Sequence, residues 1–555
     1  MKHRVAKLDK LRGGYYTPTD IADALVSWAI RSMGDHVLEP SCGDGAFLAS
    51  ACKQLRELGS LPRDVAAQVT GIEIVSDEAA KATRAVQKTL GPHCDPDVKC
   101  GEFFSLCERG LGRKFDCVVG NPPFIRYQNF PEPCRGVALR LMASLGLRAN
   151  RLTNIWVPFV AVATSCLRRH GRLAMVLPAG LLQVAYAAQL RSYLTECFSK
   201  ITIVACNRML FKHAEQEVVL VLAEDYKEPF LTSSRCQIDL VEIENTKGLR
   251  AGIRAIAGRR TGGKVVNHDT EKWLKYFLSA AEIDLMRRLR QAEEIGTLGE
   301  QASVDIGVVT GRNKFFVLSE QEARRYRIYS HTIPLVGRSA QLRGAVLNKR
   351  DWEELAAEGH KVRLLSVNGT PMQELPVALK AYVARGENSG YHKGYKCSIR
   401  DPWYALPAAW VPDCFLFRQI YDFPRLVLNR AGATSTDTIH RVSSKSAGRM
   451  LVRNLYTYLT AASAEIEGRS YGGGVLELEP TEAERLMVPR AFGRALTLKE
   501  VDSLIRAGNL DAALRENSAV VLRQGIGLSE KECSALERIW RKMQRRRMSR
   551  RRRTT

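Results

Sequence analysis

The sequence lacks the patterns that mark secreted, disulfide-linked and membrane-spanning proteins. It has 14 cysteines but no C-x-x-C pair, so we expect reduced thiols packed as small apolar side chains, with neither disulfides nor a metal. It has no uninterrupted run of about 18 apolar residues, and its first residues lack the apolar stretch of a signal peptide. These absences favour a cytoplasmic protein with no membrane partner.

Acidic residues are scarce relative to basic ones. The chain has 59 Asp and Glu against 83 Lys and Arg, a formal net charge of +24. Residues 541–555 hold part of that excess, and the rest of the chain stays basic without them. We expect this tail to be disordered when free and to bind phosphates non-specifically. A basic body suits a nucleic acid, although surface charge that only keeps the protein soluble is the alternative.

Strand and helix patterns alternate from residue 15 to about residue 222. Seven short apolar runs predict strands: HVLEP, QVTGIEI, DVKC, FDCVVG, RLAMVLP, ITIVAC and EVVLVLA. Helical patterns lie between most of them. This alternation predicts an α/β fold, Rossmann-like, with a doubly wound, mostly parallel sheet of seven strands.

The chain is too long for one core, so we expect more than one domain. The boundaries that we predict are a first domain at 1–245, a linker at 246–270, an α+β domain at 271–495 and a helical C-terminal segment at 496–555 with the basic tail. The polar stretch SSRCQIDLVEIENTKGLRAG is expected to lead out of the first domain.

Polar side chains follow the first four predicted strands. In order, they are Glu39, Glu73, Glu102 and Asn121. Because ligands bind beyond the carboxyl ends of strands in open α/β sheets, we expect these side chains to line one crevice. The turn after the first strand carries Gly43 and Gly45 but not the full G-x-G-x-x-G motif. This turn and the acidic lining disfavour a pyrophosphate and favour S-adenosyl-L-methionine, whereas the turn alone is more often a simple connection.

The fourth strand ends in FDCVVGNPPFIRY, residues 115–127. Asn121 offers an amide oxygen, and Pro122 offers a carbonyl that its fixed φ holds in place. Phe124 adds an aromatic face. Two acceptors beside a stacking surface predict a holder for the exocyclic amino group of a base. A rigid proline turn that merely closes the strand is the alternative.

Five motifs resemble those of a known family when taken in order. GGYYTPTDIADAL, VLEPSCGDGAFL, GIEI, GEFF and GNPPFIRY are similar to the motifs of gamma-class adenine-N6 DNA methyltransferases of restriction-modification systems. The resemblance covers residues 13–225 and implies binding of S-adenosyl-L-methionine, flipping of an adenine out of double-stranded DNA, and a C-terminal target-recognition domain. Glu102 stands where the family more often has Asp, and Phe124 stands where it more often has Tyr.

The resemblance also implies roles for individual residues. Cofactor contacts are expected from Thr17, Glu39, Ser41, Gly43, Gly45, Glu73, Ile74, Glu102, Phe103 and Asn121. Catalytic residues are expected to be Asn121, Pro122, Pro123 and Phe124. Phe211, in FKHAEQEVVLVL, is expected to pack beside the flipped base together with Phe124.

Three stretches of the later chain, 305–316, 391–404 and 424–442, interleave basic, aromatic and glycine residues. We interpret them as target-recognition loops, although ordinary turns have the same composition. The DNA contacts that we predict are Arg312, Asn313, Lys393 and Arg430.

The resulting hypothesis is a site-specific adenine-N6 DNA methyltransferase that works as a monomer. The sequence leaves open whether a cognate restriction endonuclease acts separately. Two alternatives stay open: a methyltransferase for RNA or for a protein glutamine, and a non-catalytic DNA-binding regulator with a decayed methylase fold.

Overall fold

The chain divides into two compact units, residues 1–280 and 281–555. A computed structural model describes residues 16–125, 129–130, 132–148, 154–206, 217–228, 236–243, 248–257, 264–265, 272–367, 369–406, 409–445, 447–471, 473–490 and 495–549. No helix in these ranges is both long and apolar enough to cross a bilayer.

The described residues of the first unit form a nine-stranded sheet in the order β3-β2-β1-β4-β5-β7-β6-β8-β9. The strands are β1 Val37–Glu39, β2 Val69–Glu73, β3 Asp97–Cys100, β4 Phe115–Gly120, β5 Leu167–Pro178, β6 Phe198–Cys206, β7 Val218–Tyr226, β8 Gln237–Ile243 and β9 Lys264–Val265. Strands β3, β2, β1, β4 and β5 run parallel to one another, whereas β7 is antiparallel to β5 and β6. The expected α/β fold with a mostly parallel sheet is therefore confirmed.

The predicted number of strands was too small by two among the described residues. The seven predicted runs correspond to β1–β7, but the stretch expected to lead out of the domain forms β8, which pairs with β6. Its sequence QIDLVEI mixes apolar with acidic residues. A strand near the edge of a sheet needs fewer apolar side chains than a central one. The polar composition of β8 therefore gave no strand signal in the sequence.

Helices cover the sheet of the first unit. They are α1 Thr19–Ala29, α2 Ala46–Glu57, α3 Pro62–Gln68, α4 Ser76–Leu90, α5 Phe103–Arg109, α6 Glu132–Ser144, α7 Trp156–Ser165, α8 Ala188–Cys197 and α9 Leu249–Ala257, with 3₁₀ turns at Ala179–Leu182, Ala185–Ala187 and Trp273–Phe277. Helix α9 lies within the segment expected to be a linker. Its residues Leu249 and Ile253 are buried in the same core cluster as residues of α1 and α2, so α9 is part of the first unit.

The described residues of the second unit form four sheets, with the strand orders β10-β23, β11-β20-β16-β18-β14, β12-β15-β13-β19 and β17-β22-β21. The strands are β10 Ile295–Thr297, β11 Ala302–Asp305, β12 Val317–Leu318, β13 Thr332–Val336, β14 Val346–Leu347, β15 Arg363–Leu365, β16 Cys414–Phe417, β17 Gln419–Ile420, β18 Leu426–Asn429, β19 Thr434–Ser435, β20 Ile439–Ser444, β21 Arg469–Tyr471, β22 Val475–Glu477 and β23 Met487–Pro489.

Many short helices and one long helix accompany these sheets. They are α10 Ala280–Gln291, α11 Leu298–Gln301, α12 Asn313–Phe316, α13 Glu320–Arg325, α14 Lys349–Ala357, α15 Val377–Asn388, α16 Tyr395–Ser398, α17 Gly448–Leu455, α18 Tyr458–Glu467, α19 Pro480–Glu484, α20 Leu498–Arg506, α21 Leu510–Ser518 and α22 Glu530–Met548. Shorter turns lie at Tyr329–His331, Ser339–Gln341, Met372–Glu374 and Tyr391–Lys393, and a π-helix lies at Ala519–Gly525.

The expectation of a disordered basic tail is wrong for residues 541–549. Helix α22 continues to Met548, and the Arg547 side chain is almost fully buried. Its guanidinium donates to both carboxylate oxygens of Glu465, at 2.6 and 3.0 Å, and to the carbonyl of Tyr421 at 2.9 Å. Charge alone predicted a solvated tail, but a specific partner in α18 holds this arginine inside the unit.

Candidate active site

The polar strand ends meet at one edge of the first unit's sheet. Because β2, β1 and β4 are adjacent and parallel, their carboxyl ends lie side by side. The turn after β1 is bonded to both neighbours: the Gly43 N–H donates to Glu73 Oε2 at 2.9 Å, and Ser41 Oγ donates to the Asn121 carbonyl at 3.3 Å. The strand order reverses at β1, since β2 lies on one side of it and β4 on the other. Doubly wound sheets bind ligands at such a reversal.

The glycine turn is tightly packed on one side and open on the other. Gly45 has φ +89°, and a Cβ placed on it would lie 2.7 Å from the Ala82 Cα in α4. Gly43 has φ +52°, and nothing lies within 4 Å of its Cβ position. Gly45 thus seats α2 against α4, while Gly43 keeps the backbone accessible to a ligand.

Glu39 is a buried carboxyl at the centre of this edge. Its Oε2 atom is buried and has no hydrogen-bond partner among the described residues. Loss of solvent raises the pKa of the Glu39 carboxyl well above its usual value. A buried acid of this kind suits a ligand that brings a positive charge or a hydrogen-bond donor.

Glu73 and Ile74 follow at the end of β2. Glu73 Oε1 accepts the N–H of Val75 at 2.9 Å, so with Gly43 both carboxylate oxygens are held in place. Each oxygen has a further lone pair that can accept a hydroxyl. Ile74 leaves 59% of its side chain exposed, which gives a planar ring an apolar surface beside the carboxylate.

Glu102 and Phe103 both have structural roles at the start of α5. Glu102 Oε1 accepts the N–H of Phe104 at 3.0 Å, and its Oε2 accepts the N–H and the hydroxyl of Ser105, each at 2.8 Å. This is an N-cap of α5. Phe103 is buried, with its ring 4.6 Å from that of Phe159. Both positions therefore have clear structural roles beside the expected cofactor role.

Asn121 stands directly after β4, with its side chain fixed. Its Nδ2 donates to Thr17 Oγ1 at 3.2 Å, and Thr17 is buried just before α1. Pro122 is buried, and Phe124 is half-buried against the core cluster of the unit. The structure thus brings Thr17, Ser41 and Asn121 together as the motifs predicted. Phe211 lies outside the described residues.

The four predicted DNA contacts are exposed in the second unit. Arg312 and Lys393 belong to segments that touch, because a Cβ on Gly394 would lie 3.0 Å from Arg312 Nε. Asn313 begins α12 and hydrogen-bonds with Thr310. Arg430 lies apart from these segments in the sequence and directly follows β18, a strand of the five-stranded sheet.

Two residues of the site region were missed from the sequence. Val75 contributes only its backbone N–H, so its residue type carried no signal. Ala82 in α4 accommodates Gly45, and a small residue facing a glycine turn is a signal that pattern reading could have used.

Two family models match the chain. The model of the Eco57I restriction-modification methylase matches residues 76–211, and that of the C-terminal domain of Type II methyltransferase M.Eco57I matches residues 270–522. Together they match more than half of the chain. The second match begins just before the second unit and ends within it.

Relatives and one solved structure extend the comparison. Type II methyltransferase M.AccI from Acinetobacter calcoaceticus is 21% identical over 85% of this chain and 84% of its own length. M.XamI from Xanthomonas campestris pv. amaranthicola is 20% identical over 86% of this chain and 85% of its own length. The Type IIL restriction-modification enzyme MmeI, solved in complex with DNA, has a TM-score of 0.54 at 11% identity, covering 95% of this chain and 75% of that chain. The last comparison shows a shared fold.

Proposed function

The chain belongs to the DNA methyltransferases of restriction-modification systems, and from this premise we propose that it transfers a methyl group to the N6 atom of an adenine in a specific DNA sequence. The observation that carries the proposal is the position of Asn121 at the carboxyl end of β4. Its side-chain amide donates to Thr17 Oγ1, and its backbone carbonyl accepts the Ser41 hydroxyl from the turn after β1. A non-catalytic role would not require an N-P-P-F segment held against a glycine turn.

The crevice fits S-adenosyl-L-methionine. Glu39 Oε2, which is buried and has no partner in the described part of the chain, suits the cationic amino-acid part of this cofactor. The Glu73 carboxylate suits its ribose hydroxyls. The exposed Ile74 side chain suits its adenine ring, and the open backbone at Gly43 allows close approach. When bound, S-adenosyl-L-methionine supplies a methyl group on a positively charged sulfur.

The protein's part is to hold and orient the adenine amino group. That group is a weak nucleophile because its lone pair is delocalised into the ring. Thr17 holds the nitrogen end of the Asn121 amide, so the oxygen end can accept one adenine N–H while the Pro122 carbonyl accepts the other. The same acceptors stabilise the positive charge that develops on nitrogen.

Phe124 provides the stacking surface for the adenine after it leaves the duplex. Base flipping costs a few kcal/mol, and stacking on an aromatic ring offsets part of that cost. The half-buried position of Phe124 holds its ring in place. We propose that Phe211 packs on the same base.

The second unit is proposed as the target-recognition domain, with Arg312, Asn313, Lys393 and Arg430 contacting DNA. The enzyme would act as a monomer on double-stranded DNA in the cytoplasm, with any endonuclease on a separate chain.

Transfer of a tritiated methyl group to unmethylated duplex DNA tests the proposal. The wild-type protein should label DNA, and Asn121→Ala should bind cofactor and DNA but not label it. Asn388→Ala, at an exposed position on α15, is the matched control and should label DNA as the wild type does. Labelling of RNA or protein in place of DNA would contradict the proposal, as would wild-type turnover by Asn121→Ala.

A further inference from the structure

Two segments of the second unit, residues 309–314 and 391–400, join into one surface, which we call the paired-segment surface. Arg400 links them: its Nη1 donates to the Thr310 carbonyl at 2.8 Å, and its Nη2 donates to the Val309 carbonyl at 2.5 Å. Gly311 makes the fit possible, because a Cβ on it would lie 2.7 Å from the Lys396 Cβ. Two loops that are about 80 residues apart in the sequence thus present their side chains together.

The paired-segment surface carries a concentration of unpaired positive charge. Its exposed cations are Arg312, Lys314, Lys393 and Lys396. Within the described ranges, none of the four forms an ion pair, whereas some exposed cations elsewhere in this unit, such as Arg350 with Glu354, do. Lys314 also lines a neighbouring cavity of about 590 Å³ whose wall includes Arg338. Clustered cations without counter-charges attract a polyanion.

Two exposed apolar side chains lie among these cations. Tyr395 is 74% exposed and Ile399 is 63% exposed. They are four residues apart along α16 and its end, so they share one face, while Cys397 between them is buried. A free phosphate or an acidic loop would bind the cations but leave these two apolar side chains without a partner. Duplex DNA offers rows of phosphates on either side of base edges that include apolar groups such as the thymine methyl.

We propose that the paired-segment surface binds double-stranded DNA, with its four cations on phosphates and the Tyr395 and Ile399 side chains on bases. The inference rests on the proposed function and deepens it by assigning where and how the second unit contacts DNA. Arg400 is a positioning residue, since it holds the two segments together from within.

The charge arm of the test measures DNA affinity of the full chain as a function of salt. Each cation on a phosphate adds about 0.9 to the slope of log affinity against log salt. The triple variant Lys314→Gln/Lys393→Gln/Lys396→Gln should therefore lower the slope by about 2 to 3. The matched control Arg485→Gln/Lys499→Gln/Lys531→Gln removes the same charge from exposed positions of the same unit and should leave the slope unchanged.

The apolar arm measures sequence discrimination. Tyr395→Ala/Ile399→Ala should weaken binding to an unmethylated duplex that carries the target sequence by about tenfold or more. Binding to a duplex without that sequence should change little, and the salt slope should not change. Tyr421→Ala removes another exposed tyrosine, 50% exposed, and should have no effect. Equal weakening on both duplexes would overturn the base contact.

The outcomes separate the inference from the proposed function. If the wild type labels and binds DNA but the triple variant keeps the wild-type slope, the paired-segment surface is not the DNA contact and the methyltransferase proposal stands. If the wild type binds duplex RNA in preference to DNA, the inference is overturned in favour of the other nucleic acid. If the wild type neither labels nor binds DNA, both proposals fall.

Discussion

The glycine turn makes a quantitative prediction about two neighbouring alanine substitutions. In Gly45→Ala, a left-handed φ of +89° costs an L-residue roughly 1–2 kcal/mol. The new Cβ would also lie 2.7 Å from the Ala82 Cα, where only backbone can yield, and such overpacking costs about 1–3 kcal/mol. The expected loss in free energy of unfolding is therefore about 2–5 kcal/mol.

Gly43→Ala is the matched substitution. Its φ is +52° and nothing lies within 4 Å of its Cβ position, so only the backbone cost of roughly 1–2 kcal/mol applies. Urea denaturation gives both losses, and isothermal titration gives the affinity for S-adenosyl-L-methionine. Gly43→Ala should retain more stability than Gly45→Ala yet still weaken the cofactor, because its Cβ enters the open space. Equal losses of stability would refute this packing of Gly45 on α4.

Two further predictions concern buried charges. Arg547→Met should cost about 3–5 kcal/mol of unfolding free energy because Glu465 is left buried without its partner. The double variant Arg547→Met/Glu465→Met should recover most of that loss. In urea denaturation, a loss no larger than that of the exposed Arg545→Met would contradict the pairing. Because burial raises the pKa of Glu39, the stability it contributes is complete below its unfolded pKa of about 4.3 and is lost as pH rises through the raised folded value. Glu39→Gln should therefore gain thermal stability relative to the wild type at pH 8 but not at pH 4, while binding cofactor less well, and a pH-independent difference would contradict it.

Much of the first unit could be predicted from local sequence. Strands β1, β2 and β4 are short, mostly apolar runs that end at or just before a polar residue, and this pattern predicted Glu39, Glu73 and Asn121 at one edge of the sheet. The order of the strands fixed which ends are neighbours, and the hydrogen bond from Ser41 to Asn121 confirms that the turn after β1 touches the end of β4.

The remaining features depend on contacts between distant segments. Glu102 is a local exception, because it caps the N–H groups two and three positions later. That spacing predicts a helix start, whereas the family resemblance implied a cofactor contact. Arg547 was assigned by its charge, although its buried partner Glu465 lies 82 positions away. The paired-segment surface has the same origin, since Arg400 recognises backbone carbonyls about 90 positions earlier. Residue type alone specifies none of these partners.

The identity of the methylated nucleoside tests the central claim most directly. Duplex DNA incubated with the protein and S-adenosyl-L-methionine would be digested to nucleosides and analysed by mass spectrometry, with Asn121→Ala in parallel. The proposed grip of Asn121 and Pro122 on an adenine amino group predicts N6-methyladenine from the wild type and none from the variant. A methylated cytosine, or N6-methyladenine formed equally by Asn121→Ala, would contradict it.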